Sequence, residues 1–422
     1  MTQESGQHVQ GGGIVRRRRV IYIPGYDPAH SRKYRELYRA QGQRQAELSG
    51  YRLSLAAAKG GGEVFAWDVA AEIEGQAVAT RVEALVWSDI VRRSMEGGVF
   101  TIYGHLARTA WIYFSTGAIF RLMRLRKGPV IAAFYPVVAL LGQLALALGT
   151  AWGLGALIAA LTHPDLGLAA LAVVPPILAW FRARDGKVLA HYLMHDFAFT
   201  AEHAGAEPPA LTARMADFAD RIADALTSDA DEVLVVGHSS GAQIAVSVLA
   251  RLLREGRVPE PGRGPALSFL TLGQVIPMAA FLPRADALRA DLALVSRSAA
   301  LTWVDVSAPG DGCTFALCDP VAVSGAAGPG KRWPLVLSAA YTRTLRPDTW
   351  AKLRWRFFRL HFQYLCAFDA LPGRPDDYDY FRITAGPRTL AARLGGRTPS
   401  PARIERALSG HTVGPGAASV VA

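Results

Sequence analysis

The stretch Glu232-Val-Leu-Val-Val-Gly-His-Ser-Ser-Gly-Ala-Gln243 decides the fold of this chain. Val233–Val236 is an unbroken apolar run, the pattern of a strand buried on both faces, as strands of a parallel sheet are. Ala242-Gln-Ile-Ala-Val246 reads as the start of a helix. Between them Gly237-His238-Ser239-Ser240-Gly241 leaves only a tight turn, with a serine at its tip and glycines where the backbone is crowded. A serine held there projects its hydroxyl above the strand end, and the helix N-terminus sets a positive field beside it.

Outward from this turn the chain alternates strands and helices. The sequence predicts strands at 20–23, 51–57, within 63–89 (Val64–Val69 and Ala84–Trp87 around a turn at Glu74-Gly75), 232–236, 267–272 and 300–306. Helices are expected over 30–48, 98–125, 187–203, 208–227, 240–255, 283–296 and 347–370. This order implies an α/β fold, a mostly parallel sheet with helices on both faces.

One segment does not belong to that pattern. Pro129–Leu161 carries no charged side chain, and after His163-Pro164-Asp165 a second apolar run extends from Leu166 to Phe181. A bilayer core takes about 20 apolar residues per helix. Arg121, Arg124, Arg126 and Lys127 precede the block, and Arg182, Arg184 and Lys187 follow it. Basic residues at both outer ends place both ends on the cytoplasmic side, so two crossings form a hairpin. The chain divides into a basic disordered tail (1–19), a first part of the α/β domain (20–127), a transmembrane hairpin (128–182), a second part (183–394) and a disordered tail (395–422). The expected location is a multi-pass protein of the cytoplasmic membrane with its α/β domain in the cytoplasm.

The net charge of +11, from 46 Lys+Arg against 35 Asp+Glu, fits anionic lipid and cytoplasmic flanks of membrane spans. No zinc-finger spacing or RNA-binding aromatic signature accompanies it, so nucleic acid is not an expected partner. Cys313, Cys318 and Cys366 make an odd count without C-x-x-C spacing and read as free thiols in a reducing compartment.

Val235-Val-Gly-His-Ser-Ser-Gly241, behind its buried strand, resembles the nucleophile elbow of α/β-hydrolases, in particular the serine lipases and esterases. The resemblance covers about residues 18–30 and 230–370 and implies a triad in the order serine, acid, histidine. Of ten histidines only His361 and His411 follow Ser239, and His411 lies in the Gly/Pro-rich tail. His361, in Arg359-Leu-His-Phe-Gln-Tyr-Leu365, is therefore the expected general base. The family places its acid in the loop after a later strand, which points to Asp311; Asp305, inside that strand, stands as the alternative. Asp286, Asp291 and Asp348 read as structural, and Asp319 is a further carboxylate in the interval. The oxyanion donors implied are the Ser240 N–H and the Tyr26 N–H, although Pro24-Gly25-Tyr26 stands where the family often carries His-Gly.

The function this implies is a membrane-anchored serine hydrolase cleaving a lipophilic ester, with no cofactor and no metal. Two alternatives stand beside it: an acyltransferase using the same serine, and a non-catalytic membrane scaffold. His191, His195 and Asp196 lack a third ligand and an H-E-x-x-H pattern and read as packing or surface residues. Asp376–Tyr380 reads as a solvated acidic turn, and Arg16–Arg19 as a basic segment able to touch lipid headgroups.

Overall fold

The computed structural model describes residues 14–58, 65–374 and 377–411. Its centre is a sheet of eight strands: β1 (Arg17–Ile23), β2 (Arg52–Ala57), β3 (Phe65–Ile73), β4 (Gln76–Ala84), β5 (Glu232–His238), β6 (Ala266–Leu272), β7 (Leu301–Ser307) and β8 (Leu335–Ser338). Their order is β2-β3-β4-β1-β5-β6-β7-β8. From β4 through β8 every neighbour is parallel, and β2-β3-β4 is an antiparallel meander at one edge. β8 was not expected from its four residues, Leu335–Ser338, which are too few to show a period. Val64 and Asp376, which belong to two predicted features, lie outside the described residues.

Every residue of β5 is buried, as its apolar run requires. One face of the sheet packs Val233, Val235, Phe269 and Trp303 against helices Pro209–Leu226, Gly241–Arg254 and Asp286–Arg297. The other packs Leu234, Val236, Leu270 and Val304 near helix Arg32–Ser49 and the segments Tyr380–Ala385 and Leu390–Leu394. At about 25 cal/mol per Å² of apolar surface removed from water, this double burial is the main favourable contribution to the fold.

Several boundaries differ from the sequence reading. Arg17–Arg19 belong to β1 rather than to a tail, and Arg18 is fully buried. Its Nε bonds Glu232 Oε2 at 2.6 Å, while its Nη atoms donate to the carbonyls of Gly386 and Arg388 at 2.6 Å. An arginine so held is unavailable to lipid headgroups. Residues 395–411 also pack: Ile404 bridges Cys318, and the Ser400 N–H donates to the Val336 carbonyl at 2.8 Å. Asp379 lies in no solvated turn; it is buried and caps helix Tyr380–Ala385 by accepting from the Phe381 and Arg382 N–H groups. The expected helix 347–370 breaks into Pro347–Leu353, Phe357–His361 and a 3₁₀ turn at Gln363–Leu365. Arg354-Trp355-Arg356 at the break is exposed throughout and offers no apolar face to bury.

The apolar block forms a 35-residue helix, Lys127–Leu161, and a return limb made of a 3₁₀ stretch, Pro164–Val173, and an α-helix, Val174–Ala183. The 3₁₀ rise of ~2.0 Å per residue lengthens the limb to ~35 Å, close to a bilayer core. The two limbs meet at Gly155 and Gly167, where a Cβ on Gly155 would fall 2.7 Å from the Gly167 carbonyl oxygen. Small residues at such crossings let helix backbones approach. Ile102, Ala190 and Met194 cover the long helix on one side around Leu140, whereas Val138, Trp152 and Leu161 face outward, as does Leu168 on the return limb.

Candidate active site

Ser239 sits at the end of β5 with φ +58°, a left-handed conformation that an L side chain adopts only under constraint, at about 1–3 kcal/mol. The constraint is visible on both sides. The Ser239 N–H donates to the Leu272 carbonyl at 3.0 Å, anchoring the turn to β6. A Cβ on Gly241 would come within 2.2 Å of the Ile23 carbonyl oxygen, so the helix can start here only with glycine. Helix Gly241–Arg254 then begins under the serine, and its first N–H groups have no intrahelical acceptor.

His361 ends the short helix Phe357–His361 and is buried. Its Nδ1 stands 2.8 Å from Asp311 Oδ2. Asp311, buried in the loop after β7, also accepts from the Tyr364 hydroxyl at 3.0 Å and, through Oδ1, from the Cys313 N–H at 2.9 Å. Three donors converging on one carboxylate fix its orientation and hence the ring of His361. Tyr364 is itself placed by the Ala308 N–H, which donates to its oxygen at 3.0 Å. The alternative acid Asp305 lies away from this cluster. It is fully buried within β7, where Thr271 Oγ1 donates to Oδ1 at 2.6 Å and Oδ2 has no partner among the described residues. Burial pushes its pKa up to about 7.

His238, the second residue of the elbow, lies behind His361. Its Nε2 donates to the His361 carbonyl at 3.0 Å, and the two rings are 4.9 Å apart. Burial, reinforced by the neighbouring His361, lowers its pKa to about 3 and keeps it neutral with the proton on Nε2. Neither Tyr364 nor His238 was given a role from the sequence, although both lie inside the quoted motifs. What singles them out is contact across the fold.

Ser239, Ser240, Tyr26 and His361 line one cavity of about 110 Å³, and Asp311 stands behind the histidine. Its walls add Tyr192 and Asp196 from helix Ala190–Ala201, Phe358 and Phe362, and Pro129 and Ala132 at the base of the long apolar helix. The Tyr26 N–H donates to Ser240 Oγ at 2.9 Å in this state. Burial pushes the Cys313 thiol up, so it stays protonated beside the pocket. His411 is elsewhere: its N–H turns back onto Ser409 Oγ at 3.2 Å. The His195 ring packs edge-on against His105 at 5.2 Å, and burial lowers its pKa to about 4. No family model, no curated protein and no solved structure matches this chain.

Proposed function

We propose that the protein is a membrane-anchored serine hydrolase of the α/β-hydrolase type that cleaves a lipophilic ester through an acyl-enzyme on Ser239. One observation carries the reading: a serine at φ +58° on a strand-to-helix turn shares a cavity with a buried histidine paired to a triply bonded aspartate. Ser239 Oγ attacks the ester carbonyl and its proton passes to His361 Nε2, while Asp311 orients the ring and stabilises its charged form. The tetrahedral oxyanion falls to the Ser240 and Tyr26 N–H groups, and Tyr26 exchanges Ser240 Oγ for the substrate oxygen as it binds. His361 returns the proton to the leaving alkoxide, and water attacks the acyl-enzyme by the same relay.

The two apolar limbs are long enough to cross a bilayer and carry outward-facing Val138, Trp152, Leu161 and Leu168, which supports an anchor. Basic flanks support a cytoplasmic placement of the α/β domain. Pro129 and Ala132 in the cavity wall put the anchor's base beside the reacting serine, which favours a substrate that partitions into lipid. A fluorophosphonate probe tests the chemistry: the folded chain labels, and Ser239→Ala abolishes labelling. A folded chain that takes no label would leave a binding role in place of catalysis.

A further inference from the structure

The break between helices Pro347–Leu353 and Phe357–His361 presents an unusual surface. Trp355 is 72 % exposed, and Phe357, which opens the second helix, is 51 % exposed. Lys352, Arg354, Arg356 and Arg359 stand among them, all exposed, and no acidic residue occurs between Asp348 and Asp369. Among the described residues none of these four cationic groups has an ion-pair or hydrogen-bond partner; the Arg354 guanidinium lies 5.4 Å from the Trp355 ring centre. Exposed arginines elsewhere, such as Arg17, Arg52 and Arg263, pair with carboxylates. Large rings left in water are unfavourable, and so are like charges crowded together without a counter-charge. Both costs vanish against a surface that is apolar below and anionic above.

The patch stands at the base of the long apolar helix. A Cβ on Gly128, the second residue of that helix, would lie 3.9 Å from the Gly312 Cα. One on Gly312 would lie 3.4 Å from the Phe357 ring, so a single residue separates the helix base from the patch. The outward apolar face of the helix begins close by, at Ile131, and continues through Tyr135, Val138 and Leu141. At 1.5 Å per residue its 35 residues extend about 52 Å, well beyond a bilayer core of about 30 Å. Lipid can cover that face down to Ile131 only if the helix tilts, and tilt lowers one side of the domain onto the leaflet.

We infer that the segment Lys352–Arg359 docks on the anionic cytoplasmic leaflet, with Trp355 and Phe357 at the headgroup boundary and the four basic side chains on lipid phosphates. The inference rests on the anchor reading of the hairpin. Aromatic rings interleaved with lysine and arginine are the residues that settle at this boundary, and the long basic side chains reach outward to the phosphates. Docking bears on the cavity through a short path. Phe357 and His361 are the two ends of one five-residue helix, and Phe358 between them lines the cavity together with Pro129 and Ala132. The docked segment therefore holds the cavity rim at the leaflet, where a lipophilic molecule enters without first crossing water.

The experiment places a benzophenone amino acid at position 355 of the full chain, reconstituted in vesicles of equimolar phosphatidylcholine and phosphatidylglycerol. A control chain carries it in place of the exposed Asp229, in the loop before β5 and so at the opposite end of that strand from Ser239. Irradiation is expected to give lipid adducts at position 355 and none at 229. Phosphatidylglycerol adducts should outnumber phosphatidylcholine adducts about 5-fold, the enrichment one basic residue near an anionic surface supplies. Arg354→Gln with Arg356→Gln should bring that ratio towards one. A wild-type ratio of one would overturn the anionic leaflet as the partner. Adducts to a second copy of the chain instead of lipid would assign the patch to self-association. No lipid adduct at 355 in a chain that resists carbonate extraction would overturn the docking and leave the anchor standing. Release by carbonate would remove the anchor and the docking together.

Discussion

Asp311 gathers three donors while Asp305, only six positions earlier, has one, and that difference separates orienting a histidine from filling a core. Asp311→Asn should lower the rate of Ser239 acylation about 10³- to 10⁴-fold, because the amide cannot stabilise the imidazolium or hold its tautomer. Tyr364→Phe removes one donor to the same carboxylate and should slow acylation about ten-fold. Rapid-mixing measurement of the acylation burst checks both; a larger effect for Asp305→Asn than for Asp311→Asn would reverse the assignment. The residues named from the sequence are those carried by a local motif or by a shortage of alternatives: Ser239 by its turn, His361 because only one other histidine follows. Asp196 was read from the sequence only as a packing or surface residue. Nothing near it in sequence tells that helix Ala190–Ala201 folds back onto the elbow.

Elements with a marked apolar pattern were legible, and so was the exposed β2, but β8 and the break after Leu353 were not. Strand β5 and helix Gly241–Arg254 are written in unbroken patterns, whereas β8 has four residues and Arg354–Arg356 breaks a helix that propensity alone would continue. The inner ends of the two expected tails, Arg17–Arg19 and residues 395–411, pack because of remote partners: Arg18 meets Glu232, and Ile404 meets Cys318. Between β6 and β7, Asp305 bears on stability rather than chemistry. Its folded pKa of about 7 lies above the ordinary carboxylate value, so its favourable contribution is full below about pH 4 and is lost as pH rises towards 7. Asp305→Asn should therefore gain in Tm relative to the wild type as pH climbs from 4 to 8. Melting curves at steps of pH check this, and a constant difference would mean that Asp305 titrates alike in both states.

For the whole molecule, the proposed anchor implies which side of a membrane each part would occupy. A reporter that is active only outside the cytoplasm, inserted at Asp165, should be active, and the same reporter at Ser228, in the loop before β5, should be silent. Activity at neither site, with the chain released by carbonate, would mean that the hairpin lies on a surface rather than through a bilayer. The apolar runs and their basic flanks were plain in the sequence; their seating was not. The base of the long helix proves to be a wall of the cavity, because helix Ala190–Ala201 and the loop after β1 close around it.

The placement of β1 bears on how the chain is made. Its register with β5 joins Arg18 to Glu232 and Ile23 to Gly237, and the Arg18 side chain also reaches the carbonyls of Gly386 and Arg388. A ribosome delivers β1 first, then the whole apolar hairpin, and only afterwards β5 and the C-terminal segment. Until then β1 can pair on one side only, with β4, and Arg18 waits without its carboxylate. The central seam of the sheet thus closes after the hairpin has left the ribosome, so under the proposed anchoring the apolar limbs would meet lipid before a finished domain stands in their way.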